Sequence, residues 1–383
     1  MQIYFLGLMR SVSAKYQVKV VLPQGSGDKI LDYLKANNIE YEFYEGKIDV
    51  SSGGSVRKRI ERRWNDFRAN LSLARHLSKY DLKNSIVQID VAPWSGFAIL
   101  LYLTLKTNVF VTFHTALPRQ AFFRQTLLRT KFAVLNAFRR FHIVASNLDV
   151  KKSLRPLVGE ASYRQIKIVY SSINSSEISR ALDGNKTRLE IAAQYNFPAD
   201  KIWVCSVAQF IERKGCWVLL EALATLQKKR DDLFFFWLGT IPLAKETIEQ
   251  IESCRLGENF RFLSADEIGG SRNDLLTLWK AADLFVLPSF QEGLPVALVE
   301  AMALGKACIA SEVNAIPEAV KHLETGILIP AGASEKLASA IGELADDAHL
   351  RQKLGAAARN FVRENFEEQV TGQIMLELYE NVA

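Results

Sequence analysis

The sequence predicts an α/β protein built as two doubly wound domains, and three observations carry that expectation. From about residue 200 onward, strand-length apolar runs alternate with helix-length segments, the rhythm of a parallel sheet with helices on both faces. The first half follows the same rhythm with a rougher start. At 383 residues the chain exceeds one ordinary core and fits two domains of roughly 150 to 200 residues each.

The elements follow in order. Phe5, Leu8, Met9 and Val12 recur at i, i+3, i+4 and i+7, so the chain opens in a helix. Gln17 to Leu22 reads as a strand, followed by a helix over 28–37, a strand over 39–44, a polar loop at 51–55 and a basic helix from Val56 to Leu77. A strand from Ser85 to Asp90, a helix over 95–105, a strand from Asn108 to Phe113 and a long helix near 119–140 come next. Strands over 142–145 and 165–170 close the first domain. A break in pattern at Asp183-Gly184-Asn185 marks the linker, which gives an N-terminal domain 1–184 and a C-terminal domain 185–360. In the second domain strands are expected at 201–208, 233–238, 260–263, 284–288, 307–311 and 326–329. Helices are expected at 216–229, 244–253, 273–281, 295–304 and 334–346, with a further segment at 315–322. Residues 361–383 form a C-terminal helix expected to pack back across both domains.

Composition excludes several classes. The apolar run Phe97 to Leu105 is about half of the ~20 residues that span a bilayer, so no transmembrane helix is expected. Met1 to Leu6 lacks the basic lead-in and cleavage site of a signal peptide, and the expected location is cytoplasmic. Cys205, Cys216, Cys254 and Cys308 make no Cys-x-x-Cys pair, and the five histidines form no ligand cluster, so no metal site is expected. Charge is uneven. Residues 1–190 hold 30 Lys and Arg against 15 Asp and Glu, whereas 191–383 hold 18 against 27. The basic half suits an anionic partner, such as a phospholipid surface, a polyprenyl phosphate or a phosphorylated glycan. No nucleic-acid recognition motif is present. The basic segments Arg57 to Arg63 and Arg119 to Arg140, interleaved with Phe122, Phe123, Phe132 and Phe138, suit peripheral contact with a membrane.

One stretch carries the chemistry. Glu292-Gly-Leu-Pro-Val-Ala-Leu-Val-Glu300 places two carboxylates across a loop-to-helix junction. Pro295 suits the first helical turn and Gly305 the stop. A helix opened by Gly293, Leu294 and Pro295 directs unpaired backbone N–H groups and the positive end of its dipole toward the space beside Glu292, which favours a phosphate. Lys214, on a loop entering a helix at Gly215, adds a point charge for a diphosphate, and Arg213 can add a bidentate fork.

With its neighbours at consistent spacing, this pattern resembles glycosyltransferase family 4, retaining enzymes of the GT-B fold. Carrying the resemblance are Glu292 and Glu300 after Leu287-Pro288-Ser289, Lys214-Gly215 at a strand-to-helix loop, Ala282 to Ser289 and Gly305 to Ala310. Asp90 at a strand end, Thr112-Phe113-His114 and Ser146 match more weakly, as do Ala282 to Ser289 and Gly305 to Ala310 taken by themselves. The resemblance implies two Rossmann-like domains facing across a cleft. It gives Lys214 to the donor diphosphate and Glu300 to the ribose hydroxyls, and sets Glu292 and His114 near the donor sugar. An acid at Glu292 could position a hydroxyl, stabilise oxocarbenium-like charge or act as nucleophile. The resemblance favours positioning and electrostatics, with the leaving phosphate helping to take the acceptor proton.

Three departures stand out. Ala208-Gln209 replaces the usual Gly-Arg, leaving Gln209 where a phosphate-binding arginine is normal, and Arg213 is the candidate to compensate. Tyr170-Ser171-Ser172 and Gly239-Thr240-Ile241 replace a Pro-Asn-Gly and a Gly-Asp-Gly. The usual first strand and its Gly-rich loop have no match, with Gly53-Gly54 the only partial substitute. The expected function is a retaining, metal-independent, cofactor-free glycosyltransferase moving a sugar from a nucleoside-diphosphate donor to a glycan or lipid-linked acceptor in surface polysaccharide or glycoconjugate synthesis. The alternatives are an inactive nucleotide-sugar-binding partner subunit and a GT-B-fold nucleotide-sugar epimerase.

Overall fold

The computed structural model describes residues 2–46, 55–90, 96–118 and 121–382. The Gly53-Gly54 loop and Arg119 lie outside them. The chain forms two compact units, Met1–Ser172 with Glu368–Ala383 (unit 1) and Ile173–Glu367 (unit 2).

Unit 1 opens with a helix, Gln2–Ser13, as the apolar periodicity requires. Strands β1 (Lys19–Pro23) and β2 (Glu40–Tyr44) pair in parallel as one two-stranded sheet. A second, four-stranded parallel sheet has the order β3 (Ile86–Ile89), β4 (Asn108–Phe113), β5 (Phe141–Ala145) and β6 (Lys167–Ile168). Alternation along β4 divides the core. Val109, Val111 and Phe113 pack with Leu103, Phe132 and Leu135 on one face, while Phe110 joins Leu8, Val12, Val144, Met375 and Tyr379 on the other. The last helix, Glu368–Glu380, thus belongs to unit 1, where Arg10 pairs with Glu368 at 3.0 Å.

Unit 2 holds one six-stranded parallel sheet made of β7 (Ile202–Val207), β8 (Leu233–Gly239), β9 (Phe260–Ser264), β10 (Leu284–Leu287), β11 (Ala307–Ser311) and β12 (Ile327–Ile329). The order is β12-β11-β10-β7-β8-β9, so chain progression reverses direction between β7 and β10, which pair directly. In open parallel sheets, ligands bind beyond the carboxyl ends of the strands at such a reversal. Trp203, Phe235, Trp237, Phe285 and Ile309 are fully buried within this sheet. In unit 1 the parallel strands are divided between two sheets, β1-β2 and β3-β4-β5-β6, with no strand shared between them among the described residues.

The unit boundaries differ from the sequence-based ones. Asp183 ends the helix Ser175–Asp183 inside unit 2, not a linker. That helix is tied to unit 2 because Glu177 accepts from Arg272 and Lys280 Nζ donates to the carbonyls of Leu182 and Gly184. At the other end, the helix Ala348–Asn365 runs through residue 361 without interruption, and the break comes at Phe366 and Glu367. The helices Leu148–Val158, Glu160–Gln165, Ser175–Asp183 and Arg188–Tyr195 were not read from the pattern, and the strand expected at 165–170 shrinks to Lys167–Ile168. No helix among the described residues is long and apolar enough to cross a membrane.

Candidate active site

The site is built on the two loops that leave β7 and β10. After β7 the chain reaches a short 3-10 turn, Glu212–Lys214, then Gly215, which starts the helix Cys216–Leu226. Gly215 has φ +73°, and a Cβ there would stand 1.9 Å from the carbonyl oxygen of Pro288. Only glycine lets this turn lie flat on the β10 loop. Backbone and side chain then lock the loops together. Phe290 N–H donates to Arg213 O at 2.9 Å, and Arg213 Nη1 donates to Gln291 O at 3.0 Å.

This contact brings Lys214 and Glu292 together. Lys214 Nζ lies 2.6 Å from Glu292 Oε1, and Ser289 Oγ donates to the same oxygen at 2.7 Å. The Glu292 N–H donates to Asn314 Oδ1 at 3.2 Å, tying its backbone to the loop after β11. Both side chains are largely buried, at 16% exposure for Lys214 and 5% for Glu292. A buried carboxylate with a cation and a hydroxyl donor on one oxygen keeps its second oxygen for another partner.

Immediately beyond, the helix Val296–Ala303 begins at Pro295 with no side chain capping it. Leu298 N–H already donates to Pro295 O at 3.0 Å, which leaves the amides of Val296 and Ala297 in the first turn for an anion. Gly293 is exposed beside them, whereas Leu294 turns into the core at 9% exposure. On the same helix Glu300 is 3% exposed and accepts from Arg272 Nη2, while Arg272 Nε donates to Glu177 at 3.2 Å. Burial pushes the Glu300 carboxyl up to about 6, against the pull of the Arg272 guanidinium. Glu300 is thus a held, buried acceptor, not a helix glutamate in water.

Of the residues expected from the sequence, Lys214, Arg213 and Glu292 are in contact, and Glu300 stands on the adjoining helix. Gln209 is exposed on the β7 loop, where its carbonyl accepts from Ile211 N–H. His114 belongs to unit 1, just past β4, and its Nε2 lies 2.9 Å from Asp90 Oδ1 at the end of β3. Ser289, Asn314, Arg272 and Glu177 were missed. Ser289 lies within Leu287-Pro288-Ser289, but the other three come from loops and helices far off in sequence and carry no local signal.

Comparison with known proteins gives likeness in sequence and in fold. Residues 187–361 match the family described as Glycosyl transferases group 1. Over 115 residues the chain is 34% identical to a Campylobacter jejuni N,N'-diacetylbacillosaminyl-diphospho-undecaprenol alpha-1,3-N-acetylgalactosaminyltransferase, covering 30% of each protein. Over 174 residues it is 34% identical to a Mycobacterium leprae phosphatidyl-myo-inositol mannosyltransferase, covering 45% of this chain and 44% of that one. The chain thus spans less than half the length of these curated relatives. A glycosyltransferase structure from Rickettsia africae superposes with a TM-score of 0.79 at 17% identity, covering 100% of this chain and 94% of that one. Anabaena HepE in complex with UDP gives 0.74 at 17% identity, with 99% and 96% covered. Over residues 187–361 this chain is thus similar to the glycosyl transferases group 1 family, and its fold is that of the GT-B glycosyltransferases.

Proposed function

We propose that this protein is a retaining, metal-independent glycosyltransferase that moves a sugar from a nucleoside-diphosphate donor to a glycan or lipid-linked acceptor at the inner face of a membrane. The observation that carries the reading is the convergence of Lys214, the buried Glu292 and an uncapped helix start at the β7/β10 reversal. Lys214 and the amides of the Gly293–Val296 turn hold the diphosphate and stabilise the charge left on it when the glycosidic bond breaks. Arg213 adds charge at the loop rim, and Gln209 offers an amide. Glu300 accepts the ribose hydroxyls, with Arg272 fixing its orientation. Glu292, already oriented by Ser289 and Lys214, positions a sugar hydroxyl and stabilises positive charge on the ring carbon. The acceptor adds to the face from which the leaving group departs, and the departing phosphate takes the acceptor proton. From unit 1, His114 is assigned a catalytic part, its ring orientation set by Asp90. The UDP bound to the Anabaena structure supports a nucleoside-diphosphate donor, and the Campylobacter relative's name supports a lipid-linked acceptor.

Incubation with a panel of nucleotide sugars and a lipid-linked acceptor, with and without chelator, tests the reading. Acceptor-dependent release of nucleoside diphosphate, chelator-resistant and lost in Glu292→Gln, is the expected result. Binding without release would identify a non-catalytic nucleotide-sugar-binding subunit, and an isomerised donor an epimerase.

A further inference from the structure

The helix Val56–Leu77 presents an apolar face to solvent. Ile60, Trp64, Phe67 and Leu71 are 63%, 55%, 54% and 42% exposed. Their spacing of four, three and four residues sets them in one stripe along the helix. The opposite side is the packed one, since Ala69 is 7% exposed and Leu73, Ala74 and Leu77 pack toward the unit 1 core. Such a helix meets its packing requirement with one face and still bares a second apolar one. Trp64 and Phe67 stack with ring centroids 5.8 Å apart, and Arg68 lies over the Trp64 ring at 5.5 Å.

The surroundings of the stripe specify a partner. Arg57 and Arg68 border it on one side and Arg63 on the other, all exposed, and the helix sequence holds seven Lys and Arg against two acids. Apolar anchors with an amphipathic indole between cationic rims match the boundary of an anionic bilayer, where rings enter the acyl region and guanidiniums meet phosphates. The sequence had pointed to Phe132 and Phe138 for such a contact, but Phe132 is buried and Phe138 half-buried. At the start of the next long helix, Phe122 and Phe123 remain 84% and 81% exposed.

We propose that Val56–Leu77 is a membrane-docking helix that lies in the plane of an anionic lipid surface on its Ile60, Trp64, Phe67 and Leu71 stripe. The docking deepens the membrane placement in the proposed function, and it is tested apart from sugar transfer because it is scored as vesicle binding with no donor present. The test is sedimentation of the full chain with vesicles of phosphatidylcholine alone and of phosphatidylcholine mixed with phosphatidylglycerol. The protein is expected to pellet with the mixed vesicles, and Trp64→Ser combined with Phe67→Ser to lower partitioning at least about tenfold. Replacing Arg57, Arg63 and Arg68 with Gln should cost about fivefold per arginine on the anionic vesicles only, and added salt should erase that difference. Because every substituted residue is exposed, each variant is expected to keep its fold, which is checked by an unchanged circular dichroism spectrum and thermal melting curve. Equal partitioning to both vesicle types, or variants that pellet like the parent, would overturn the proposal. A dimer that Trp64→Ser with Phe67→Ser converts to monomer, without vesicle binding by the parent, would instead assign the stripe to a second copy of the chain.

Discussion

At the residue scale the paired acids differ in kind, and each difference is measurable. Glu300 faces Arg272 and Glu177, and its folded-state value of about 6 lies above the ordinary 4.5. A carboxyl raised on folding binds its proton more tightly in the native state. Its contribution to stability therefore falls as pH rises from about 4.5 to 6, by roughly 2 kcal/mol in all, and is flat above. In Glu300→Gln that slope should disappear from denaturant midpoints taken across the window. Nucleotide affinity should run the other way, strengthening as pH rises through about 6, where the ionised acceptor forms in the folded protein, and calorimetric titration with UDP or GDP would show it. At neutral pH Glu300→Gln should weaken nucleotide binding by about tenfold to a hundredfold, the worth of hydrogen bonds to a charged group. For Glu292→Gln, which keeps the Ser289 contact, turnover should fall about a hundredfold or more while UDP binding changes little. A parallel loss of both would show that Glu292 holds the nucleotide instead.

At the element scale the site depends on two loops touching. Gly215→Ala puts a side chain at φ +73° and into the Pro288 carbonyl, so it should cost at least about 2 kcal/mol in a urea melt and release Lys214 from Glu292. Lys214→Gln should lose donor affinity with no strain at φ +73°, its cost to folding coming from the unpaired Glu292 carboxylate, and the pair separates loop geometry from charge. Much of this scale was legible in advance. The helix Val56–Leu77 and the strands Asn108–Phe113 and Ala307–Ser311 fall where the pattern puts them, because a short continuous apolar run reads as a buried strand and a long charge-rich segment as a helix. The helices at 175–183, 188–195 and 348–365 escaped notice although their caps are written in the sequence, including a Thr187 and Glu190 capping box and Asp347. Short helices such as 175–183 and 188–195 lean on such caps and on packing partners that no local window contains.

At the scale of the whole molecule, one chain builds two units and ends in the first of them. The helix Glu368–Glu380 supplies Met375 and Tyr379, 0% and 4% exposed, to the cluster around Phe110 and Val144. Removing 368–383 deletes that packing, at about 2–5 kcal/mol for each large side chain. A chain ending at Glu367 should therefore show early loss of unit 1 in thermal melting, while the transition reported by nucleotide binding stays in place. A single, uniformly lowered transition would mean that the units unfold together.

The amino-acid sequence alone determined the alternating α/β architecture, the two-unit scale, and Lys214, Glu292 and Glu300 as the residues worth finding, since periodicity and a dense local string survive without knowledge of neighbours. Only the tertiary structure decided that Lys214 and Ser289 grip one oxygen of Glu292 and that Arg272 holds Glu300. It also decided that the last helix returns to unit 1 and that an apolar stripe on Val56–Leu77 is left facing water. The reason is physical. A side chain's partner and its exposure are set by elements distant along the chain, and burial then sets its charge, whereas the pattern in any one window records only which face is apolar.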